Sequence, residues 1–375
     1  MHQRRFGKTE LSLSLFSLGT MRCLDNRQVY LDTVERAIAL GINHIETARA
    51  YGKSEVYLGR ALRDLQIERQ NIHITTKLIP TLNRQEMSRW LDESLARLQT
   101  DYLDCLALHG INTWEHLEWV TKPDGCLAAI RVAMFEGKVR HLGFSTHGRP
   151  ELISAAIETD LFEFINLHYY YFNQINRQAI ALAAAKDMGI FIISPADKGG
   201  RLYTPPAKLS ELCAPFTPLD LNYRFLLSDR RITTLSVGAA NPKQLNKALQ
   251  AIEDKPLTQA EQTVFAGLES ELISSLGTDL CRQCDRCLPC PAQINIPEVL
   301  RLRNLAVAYE MKDYGQYRYG MLENAGHWFP GRKGNRCTDC GDCLPRCPEQ
   351  LDIPNLLRDT HQKLQGKQRR RLWSD

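Results

Sequence analysis

The sequence GINHIETARAYGKSEVYLG, residues 41–59, contains the structural unit that the rest of the chain repeats. An apolar, β-branched run, INHIET (42–47), is followed by a polar turn that contains Tyr51. The next segment, SEVYLGRAL (54–62), has apolar residues at helical spacing. A short buried strand followed by an amphipathic helix is the building block of a parallel sheet. The stretch therefore predicts one βα unit with a polar turn at the carboxyl end of its strand.

The same unit recurs along the first three-quarters of the chain. The strand candidates are LFSLGT (15–20), INHIET (42–47), IHITTK (72–77), YLDCLALH (102–109), VRHLGFS (139–145), FINLHY (164–169), IFIISP (190–195) and ITTLSVG (232–238). Helical segments between them include VYLDTVERAIAL (29–40), RQEMSRWLDESLARL (84–98), PELISAAIE (150–158), RQAIALAAAKDM (177–188) and PKQLNKALQAI (242–252). Eight such units predict an α/β fold of the (β/α)8 TIM-barrel type. The alternative, an open doubly wound sheet, ordinarily has a Gly-rich turn after its first strand, and this chain has none there.

Ionisable side chains stand where three consecutive strands end. Glu46 ends the second strand and Tyr51 follows in its loop, while Lys77 ends the third strand and His109 the fourth. The active sites of such barrels lie at the carboxyl ends of the strands, on one face. We therefore expect a carboxylate, a phenol, an amine and an imidazole on one rim, where they form a candidate catalytic group.

The last quarter of the chain contains two matching cysteine runs, CRQCDRCLPCP (281–291) and CTDCGDCLPRCP (337–348). Three cysteines at this spacing, with a fourth before a proline, are typical ligands of [4Fe-4S] clusters. In ferredoxins with two clusters, the last cysteine of each run binds the other cluster. This predicts one ligand set of Cys281, Cys284, Cys287 and Cys347, and a second of Cys337, Cys340, Cys343 and Cys290. Only two residues separate Cys287 from Cys290, against three between Cys343 and Cys347, so the spacing supports one cluster better than the other.

Two other uses of these cysteines stay open, a pair of zinc sites and a disulfide framework. The third cysteine in register and the Cys-Pro ending disfavour zinc. The lack of a signal-peptide pattern, in a chain that otherwise looks like an intracellular enzyme, disfavours disulfides. The remaining cysteines are scattered: Cys23, Cys105, Cys126 and Cys213. Cys105 lies inside an apolar strand, where we expect it to act as a small buried hydrophobic residue.

The segment between the two runs has a helical pattern of its own. In IPEVLRLRNLAVAYEM (296–311), apolar residues recur at helical spacing after a proline near the start. We therefore expect a small, mainly helical module, which resembles the two-cluster ferredoxin domain of electron-transfer enzymes. The predicted domains are residues 1–275 for the barrel and residues 276–375 for the ferredoxin-like module.

Composition and charge narrow the functional classes. The 375 residues are 43% hydrophobic and 24% charged, with a formal net charge of +4, a balance that does not suggest a nucleic-acid partner. No apolar stretch is long enough to cross a bilayer, so we expect a cytoplasmic protein with no membrane partner. The only basic run, KQRRRLW from Lys367, is expected to be a solvated tail.

Over residues 4–265 the sequence resembles the aldo-keto reductase family. RRFGKTELSLSLFSLGTMR (4–22) is similar to the family's opening hairpin and first strand, and residues 41–59 are similar to its most recognisable stretch. ITTK, DCLALH, HLGFS, IISP and SVGAANPKQL follow in the family's order. Together with the cysteine module, the resemblance narrows to the branch of the family that has a C-terminal ferredoxin-like 4Fe-4S domain.

The resemblance implies reduction of a small carbonyl substrate by hydride from NADP(H), with NAD(H) as the alternative. A carbonyl that accepts hydride develops negative charge on oxygen, so it needs a proton donor and nearby positive charge. Tyr51 matches the family's proton donor, and Lys77 matches the lysine whose ammonium lowers the pKa of that phenol. Glu46 would hold Lys77, at a position where the family usually has Asp, and His109 would orient the carbonyl.

The cofactor-binding positions also come from the resemblance. In the family, loops after the seventh and eighth strands hold the pyrophosphate, a phosphate site common in these barrels. The matching residues of this chain, which include a segment beside the nicotinamide and its carboxamide contacts, are Gly19, Thr20, Met21, Ser145, His168, Ser194, Gly200, Leu202, Gly238 and Gln244. Departures from the family pattern are Ile193 for an aromatic ring, His168 for Gln, Ala240 for a basic residue, and Lys247 with Ala248 for an adenine-contacting pair.

Two interpretations from other functional classes stay open beside the enzyme. Hydride carries two electrons at once, whereas a [4Fe-4S] cluster transfers one. The clusters of a hydride-transfer enzyme would therefore supply electrons to it, accept electrons from it or regulate it. The departures at the cofactor positions also suit an electron-transfer protein, in which the barrel docks a partner such as a ferredoxin and nicotinamide chemistry is vestigial. They equally suit a redox sensor, in which cluster loss changes the binding of another protein.

Overall fold

The computed structural model describes residues 1–249 and 254–366. The basic run from Lys367 and the last residues of PKQLNKALQAI, 250–252, lie outside the described residues. The side chains of Lys247 and Ala248 are not described either. No helix within the described ranges is both long and apolar enough to cross a membrane.

Within these ranges the chain forms ten strands and fourteen α-helices. The strands are β1 (Gln3–Arg5), β2 (Ser12–Ser14), β3 (Phe16–Gly19), β4 (His44–Glu46), β5 (His73–Leu78), β6 (Leu103–His109), β7 (Val139–Ser145), β8 (Phe164–Leu167), β9 (Gly189–Ile192) and β10 (Thr234–Val237). The helices are α1 (Arg27–Ala39), α2 (Ser54–Asp64), α3 (Arg84–Leu98), α4 (Trp114–Thr121), α5 (Cys126–Phe135), α6 (Pro150–Glu158), α7 (Arg177–Ala185), α8 (Ala207–Leu212), α9 (Pro218–Ser228), α10 (Pro242–Ala248), α11 (Gln259–Leu276), α12 (Ile296–Ala308), α13 (Lys312–Tyr319) and α14 (Ile353–Leu364).

Contacts divide the chain into two units. The first consists of Met1–Gly199 and Asn222–Pro256, and the second of Gly200–Leu221 together with the described residues 257–366. Helix α11 and residues 200–221 therefore belong with the cysteine-rich part. The domain boundary expected between residues 275 and 276 stays a prediction.

The first unit is a closed barrel of eight parallel strands, β3 to β10 in chain order, with β10 paired to β3. Each strand candidate of the sequence supplies one barrel strand, so the predicted (β/α)8 fold is confirmed. The hairpin β1–β2 is antiparallel, with Gln3 opposite Ser14. After the hairpin's first strand, Phe6 packs in one buried cluster with Phe164 and Phe191. A Cβ at Gly189 would lie 2.3 Å from the Phe6 ring, so only glycine leaves room for this packing.

Two layers of polar side chains fill part of the barrel interior. In the lower layer, His44 bonds Ser17 Oγ at 2.6 Å and Thr75 Oγ1 at 2.7 Å, and Ser17 bonds Thr234 Oγ1 at 2.8 Å. Burial lowers the pKa of His44 to about 3, so this layer is uncharged at neutral pH. Residues two positions further along each strand face the same side of the sheet, here the barrel interior. They form the next layer toward the carboxyl ends of the strands, which consists of Gly19, Glu46, Lys77 and Ser236.

The second unit is mainly helical, as expected, and contains an internal repeat. Each cysteine run is followed by an Ile-Pro step that begins a helix, α12 at Ile296 and α14 at Ile353. Both helices have a side chain before Ile-Pro that accepts a backbone N–H in the first turn, which satisfies a donor that has no partner within the helix. Arg303 on α12 forms an ion pair with Asp359 on α14 at 2.7 Å, and a second with Asp279, before the first cysteine run, at 3.0 Å.

Candidate active site and cluster sites

A buried lysine stands at the centre of the barrel's carboxyl-end layer. Lys77 is 1% exposed, and its ammonium forms an ion pair with Glu46. The same group donates hydrogen bonds to the Tyr51 oxygen at 3.3 Å and to the Thr47 carbonyl at 3.0 Å. An isolated charge at this depth would be costly, and the carboxylate and two oxygens compensate it. Because the Tyr51 oxygen accepts from Lys77, its own O–H proton is directed away from the lysine.

Burial shifts the pKa values of both Tyr51 and Lys77. The pKa of Tyr51 lies well above its ordinary value because the phenol is buried and, secondly, because the Glu46 charge opposes a phenolate. Burial also lowers the pKa of Lys77, while Glu46 works against that decrease. The resemblance implies that Lys77 lowers the pKa of Tyr51. In this structure burial and the Glu46 charge are the dominant influences, and both act in the opposite direction.

His109 forms a second wall of the candidate site. The rings of Tyr51 and His109 lie 5.7 Å apart, edge to face at 83°. Both residues are buried, and they come from the loop after β4 and the end of β6. The four residues at successive strand ends thus lie in one place, and contacts link Tyr51 to His109 and Lys77, and Lys77 to Glu46.

Glutamate is accommodated at position 46 by two small residues. One carboxylate oxygen pairs with Lys77, and the other accepts a hydrogen bond from Ser236 Oγ at 3.1 Å. A Cβ at Gly19 would lie 2.3 Å from that hydroxyl, so glycine leaves the space in which Ser236 reaches the carboxylate. Ser236 was not among the residues predicted from the sequence. The sequence marks it only as a polar residue within the apolar strand ITTLSVG, two residues after Thr234.

Several expected cofactor residues also lie at the carboxyl ends of the strands. Thr20 is buried and donates to the Glu46 carbonyl at 2.9 Å, and Met21 follows it with a half-buried side chain. Ser145 Oγ accepts from the Gly110 N–H at 3.1 Å. These contacts hold the ends of strands β3 and β7 to their neighbours on the rim.

The other residues expected to bind the cofactor lie in different surroundings. Ser194, after β9, has a left-handed backbone with φ of 53°. The Gly238 carbonyl accepts from Arg22 at 2.8 Å, and Gln244 accepts from the Ala240 N–H at 3.0 Å. The other two expected residues, Gly200 and Leu202, belong to the second unit.

His168 and Asn166, two residues apart, differ in their hydrogen bonding. His168, expected as a carboxamide contact, bonds the Tyr170 hydroxyl and lies 3.2 Å from His147, between the two Nε2 atoms. Asn166, two residues earlier on β8, is fully buried, and neither its amide nitrogen nor its amide oxygen has a hydrogen-bond partner among the described residues. A buried amide without partners costs about 1–3 kcal/mol, so a polar group other than the described residues, such as a bound ligand or water, is expected to complete it. The signal available in the sequence was an amide inside the apolar strand FINLHY.

Cysteines from both runs surround one cavity in the second unit. Cys290 of the first run lines it together with Cys337, Cys340 and Cys343 of the second. Burial raises the pKa of Cys343, and the charges of Cys337, Cys290 and Cys340 raise it further. Four sulfur atoms around one space suit an iron–sulfur cluster, whose ligands are thiolates.

The other four cysteines form a second group. Burial raises the pKa of Cys281 to about 11, and nearby Cys284 and Cys347 add to it. Burial raises the pKa of Cys287 to about 12, with Cys281 and Cys284 contributing. Such thiols lose their protons when iron binds. In each group the second cysteine of the run, Cys284 or Cys340, is exposed, and the third is buried.

A closed parallel barrel with a buried phenol, ammonium and carboxylate at the carboxyl ends of its strands is typical of one class of oxidoreductases. Residues 16–268 match the Aldo/keto reductase family, and residues 280–351 match a 4Fe-4S dicluster domain. The chain belongs to the aldo/keto reductase family and carries a C-terminal ferredoxin-like 4Fe-4S dicluster domain.

Relatives and solved structures agree with this assignment. The uncharacterized oxidoreductase YqkF of Bacillus subtilis is 24% identical over 298 residues, which cover 70% of this chain and 94% of the relative. Methylglyoxal reductase DkgB of Escherichia coli O157:H7 is 30% identical over 185 residues, 49% of this chain and 66% of the relative. The holo form of aldo-keto reductase AKR11C1 from Bacillus halodurans is similar in fold, with a TM-score of 0.63 and 23% identity. That match covers 71% of this chain and 95% of the other.

Proposed function

We propose that this protein interconverts a small carbonyl compound and its alcohol with NADP(H), and that two [4Fe-4S] clusters are coupled to this reaction or regulate it. The observation that carries the proposal is the buried contact of Tyr51, Lys77 and Glu46 at the carboxyl end of the barrel. A buried, neutral phenol beside a compensated ammonium is an arrangement that can give a proton to a developing alkoxide.

Each side chain has a distinct task in this proposal. A bound nicotinamide supplies the hydride. Tyr51 gives its O–H proton to the carbonyl oxygen, and Lys77 stabilises the phenolate that remains. Glu46 and the Thr47 carbonyl hold the lysine in place, and His109 donates a hydrogen bond that orients the carbonyl. The high pKa of Tyr51 keeps its proton in place until negative charge appears on the substrate oxygen.

The proposed cofactor contacts are the expected positions that lie in the first unit, with Asn166 added as a contact to the nicotinamide carboxamide. Gly200 and Leu202 stay expectations of the family resemblance. A carboxamide offers both a donor and an acceptor, which are the two partners that the buried Asn166 amide lacks among the described residues. Ser145 lies at the end of the neighbouring strand, where Ser145 and Asn166 are paired in register. The two side chains are therefore suited to bind one planar amide together.

In the second unit, the proposed ligand sets are those expected from the sequence, with the last cysteine of each run binding the other cluster. The cavity shared by Cys290 and the second run supports this exchange. Exposed Cys284 and Cys340 would place an edge of each cluster near the surface, where a ferredoxin or another electron-transfer partner exchanges single electrons.

The proposal is tested by titrating NADPH into the anaerobically purified protein while its fluorescence is followed, with methylglyoxal as a probe carbonyl. We expect saturable binding and NADPH oxidation that depends on the carbonyl. Asn166→Leu should weaken NADPH binding about ten- to a hundredfold without lowering the melting temperature, because leucine removes a polar group that is unsatisfied without the cofactor. A protein that binds neither NADPH nor NADH but has clusters that can be reduced reversibly would instead be an electron carrier.

A pH profile tests the protonation states. Reduction uses the phenol and the ammonium, so its rate should be constant through neutral pH and fall only in the alkaline range, while alcohol oxidation should rise there. Glu46 raises the pKa of Tyr51 and that of Lys77. Glu46→Gln should therefore move the alkaline limb of reduction to lower pH, and Glu46→Asp, which keeps the charge, should leave it near its original position. If the alkaline limb of the reduction profile is unchanged in Glu46→Gln, groups other than Tyr51 and Lys77 determine the pH at which the rate falls.

A further inference from the structure

An arginine in the second cysteine run contacts both runs. Arg346 immediately precedes Cys347 and lines the cavity that is formed by Cys290, Cys337, Cys340 and Cys343. Its Nε donates to the Asp342 carbonyl at 2.7 Å, and its Nη2 donates to the Pro289 carbonyl at 3.0 Å. Asp342 precedes Cys343, and Pro289 precedes Cys290. One guanidinium therefore joins the segments that carry two cysteines of this cavity from opposite runs.

The contact bears on the shorter spacing in the first run. Cys290 follows Cys287 after only two residues, yet it must point to a cavity whose other three cysteines come from the second run. The Arg346–Pro289 hydrogen bond holds the residue next to Cys290 against the second run. A planar guanidinium can bridge two carbonyls in one fixed geometry, which an ammonium on a flexible stem does not reproduce.

The charge of Arg346 adds a second effect. Reduction adds one negative charge to a cluster, and nearby positive charge stabilises that state and raises the reduction potential. Among the described residues Arg346 forms no ion pair with a carboxylate, whereas Arg336, which stands in the same place before Cys337, pairs with Glu323 at 2.8 Å and is 50% exposed. Arg336 thus has the same sequence context, but its charge is already compensated.

We infer that Arg346 is a positioning residue for the cluster bound by Cys290, Cys337, Cys340 and Cys343, and that it holds Cys290 on this cluster and raises its reduction potential. The inference rests on the proposed presence of two clusters. In this arrangement Arg346, from the second run, holds Cys290, a ligand from the first run, in position.

The test compares the full-length variants Arg346→Gln, Arg346→Lys and Arg336→Gln with the parent protein, all purified anaerobically. Clusters are followed by redox titration with electron paramagnetic resonance, and iron release to a chelator is timed. The cluster that Cys340→Ser removes is taken as the one beside Arg346. In Arg346→Gln, we expect this cluster alone to move to lower potential and to release iron about tenfold faster, the usual effect of losing a group that orients a ligand. The other cluster serves as an internal control for folding.

The lysine variant separates position from charge. Arg346→Lys keeps the charge, so its potential should stay closer to that of the parent, while iron release should remain fast because the two carbonyls are no longer bridged. Arg336→Gln should release iron at the parent's rate, because Arg336 pairs with Glu323 and bridges no carbonyl of the first run. If iron release from the cluster beside Arg346 is the same in Arg346→Gln as in Arg336→Gln, or if the potential in Arg346→Gln is that of the parent, the inference is wrong. A parent protein with only one cluster would contradict the proposed function instead, so the two failures are distinguishable.

Discussion

Tyr51→Phe is expected to reduce the rate of carbonyl reduction by a factor of about 10² to 10⁴, the usual contribution of a positioned general acid. The substitution removes one hydroxyl and leaves the ring edge to face with His109. Lys77 loses one acceptor but keeps the Thr47 carbonyl and Glu46, so the layer around it should stay folded. NADPH binding and iron content should therefore be unchanged, while kcat falls.

The measurement is NADPH oxidation with a probe carbonyl, together with NADPH affinity and iron content for the same preparations. Tyr57→Phe is the matched control, since Tyr57 lies six residues further along, on helix α2, and packs against Tyr30. We expect this control to have the parent's rate. Persisting turnover in Tyr51→Phe would mean that the proton comes from another group and would remove the central assignment of the site.

The double variant Cys290→Ser/Cys340→Ser should retain about four of about eight irons, because both cysteines are proposed to bind the same cluster. Cys290 and Cys340 line one cavity although they come from different runs. If each run bound its own cluster, the same double variant would damage both. Iron and sulfide counts after anaerobic purification distinguish the two arrangements, since one predicts half of the iron and the other almost none.

The reciprocal variant Cys284→Ser/Cys290→Ser provides the control. These two cysteines share a run but are proposed to bind different clusters, so we expect both clusters to be lost or strongly depleted. Half of the iron in this variant, with none in the first, would establish ligation within each run and overturn the exchange. A parent protein that contains zinc rather than iron would contradict the cluster assignment altogether.

Much of the fold followed from local patterns. Each barrel strand was visible as an apolar, β-branched run, because a strand buried on both faces has little room for polar residues. Helices α3 and α6 have the bounds that periodicity and N-terminal signals predicted, Arg84–Leu98 and Pro150–Glu158. The helical cysteine module was also visible, because the Ile-Pro step before α12 is a local signal for the start of a helix. The helices that the sequence patterns did not single out are α4, α5, α8, α9, α11, α13 and α14.

The site was predictable only in part. Glu46, Lys77 and His109 stood out because charged side chains at the ends of apolar strands have few structural uses. Ser236 and Asn166 did not stand out, because a small polar residue within a strand is common. His168 stays a predicted carboxamide contact, and the structure adds that it bonds the Tyr170 hydroxyl. Whether a polar side chain has a partner depends on neighbouring strands and cannot be judged along one of them.

By itself, the sequence determined the element types, the barrel and the presence of two thiolate-rich runs, since periodicity and ligand spacing are local properties. The tertiary structure decided which groups share a site and in what state. It brought the carboxylate of Glu46 from the second barrel strand to Lys77 on the third, and it buried Tyr51, which raises the pKa of the phenol. It also placed Cys290 among the cysteines of the other run. Burial and proximity between distant segments set these properties, and both arise only when the chain closes on itself.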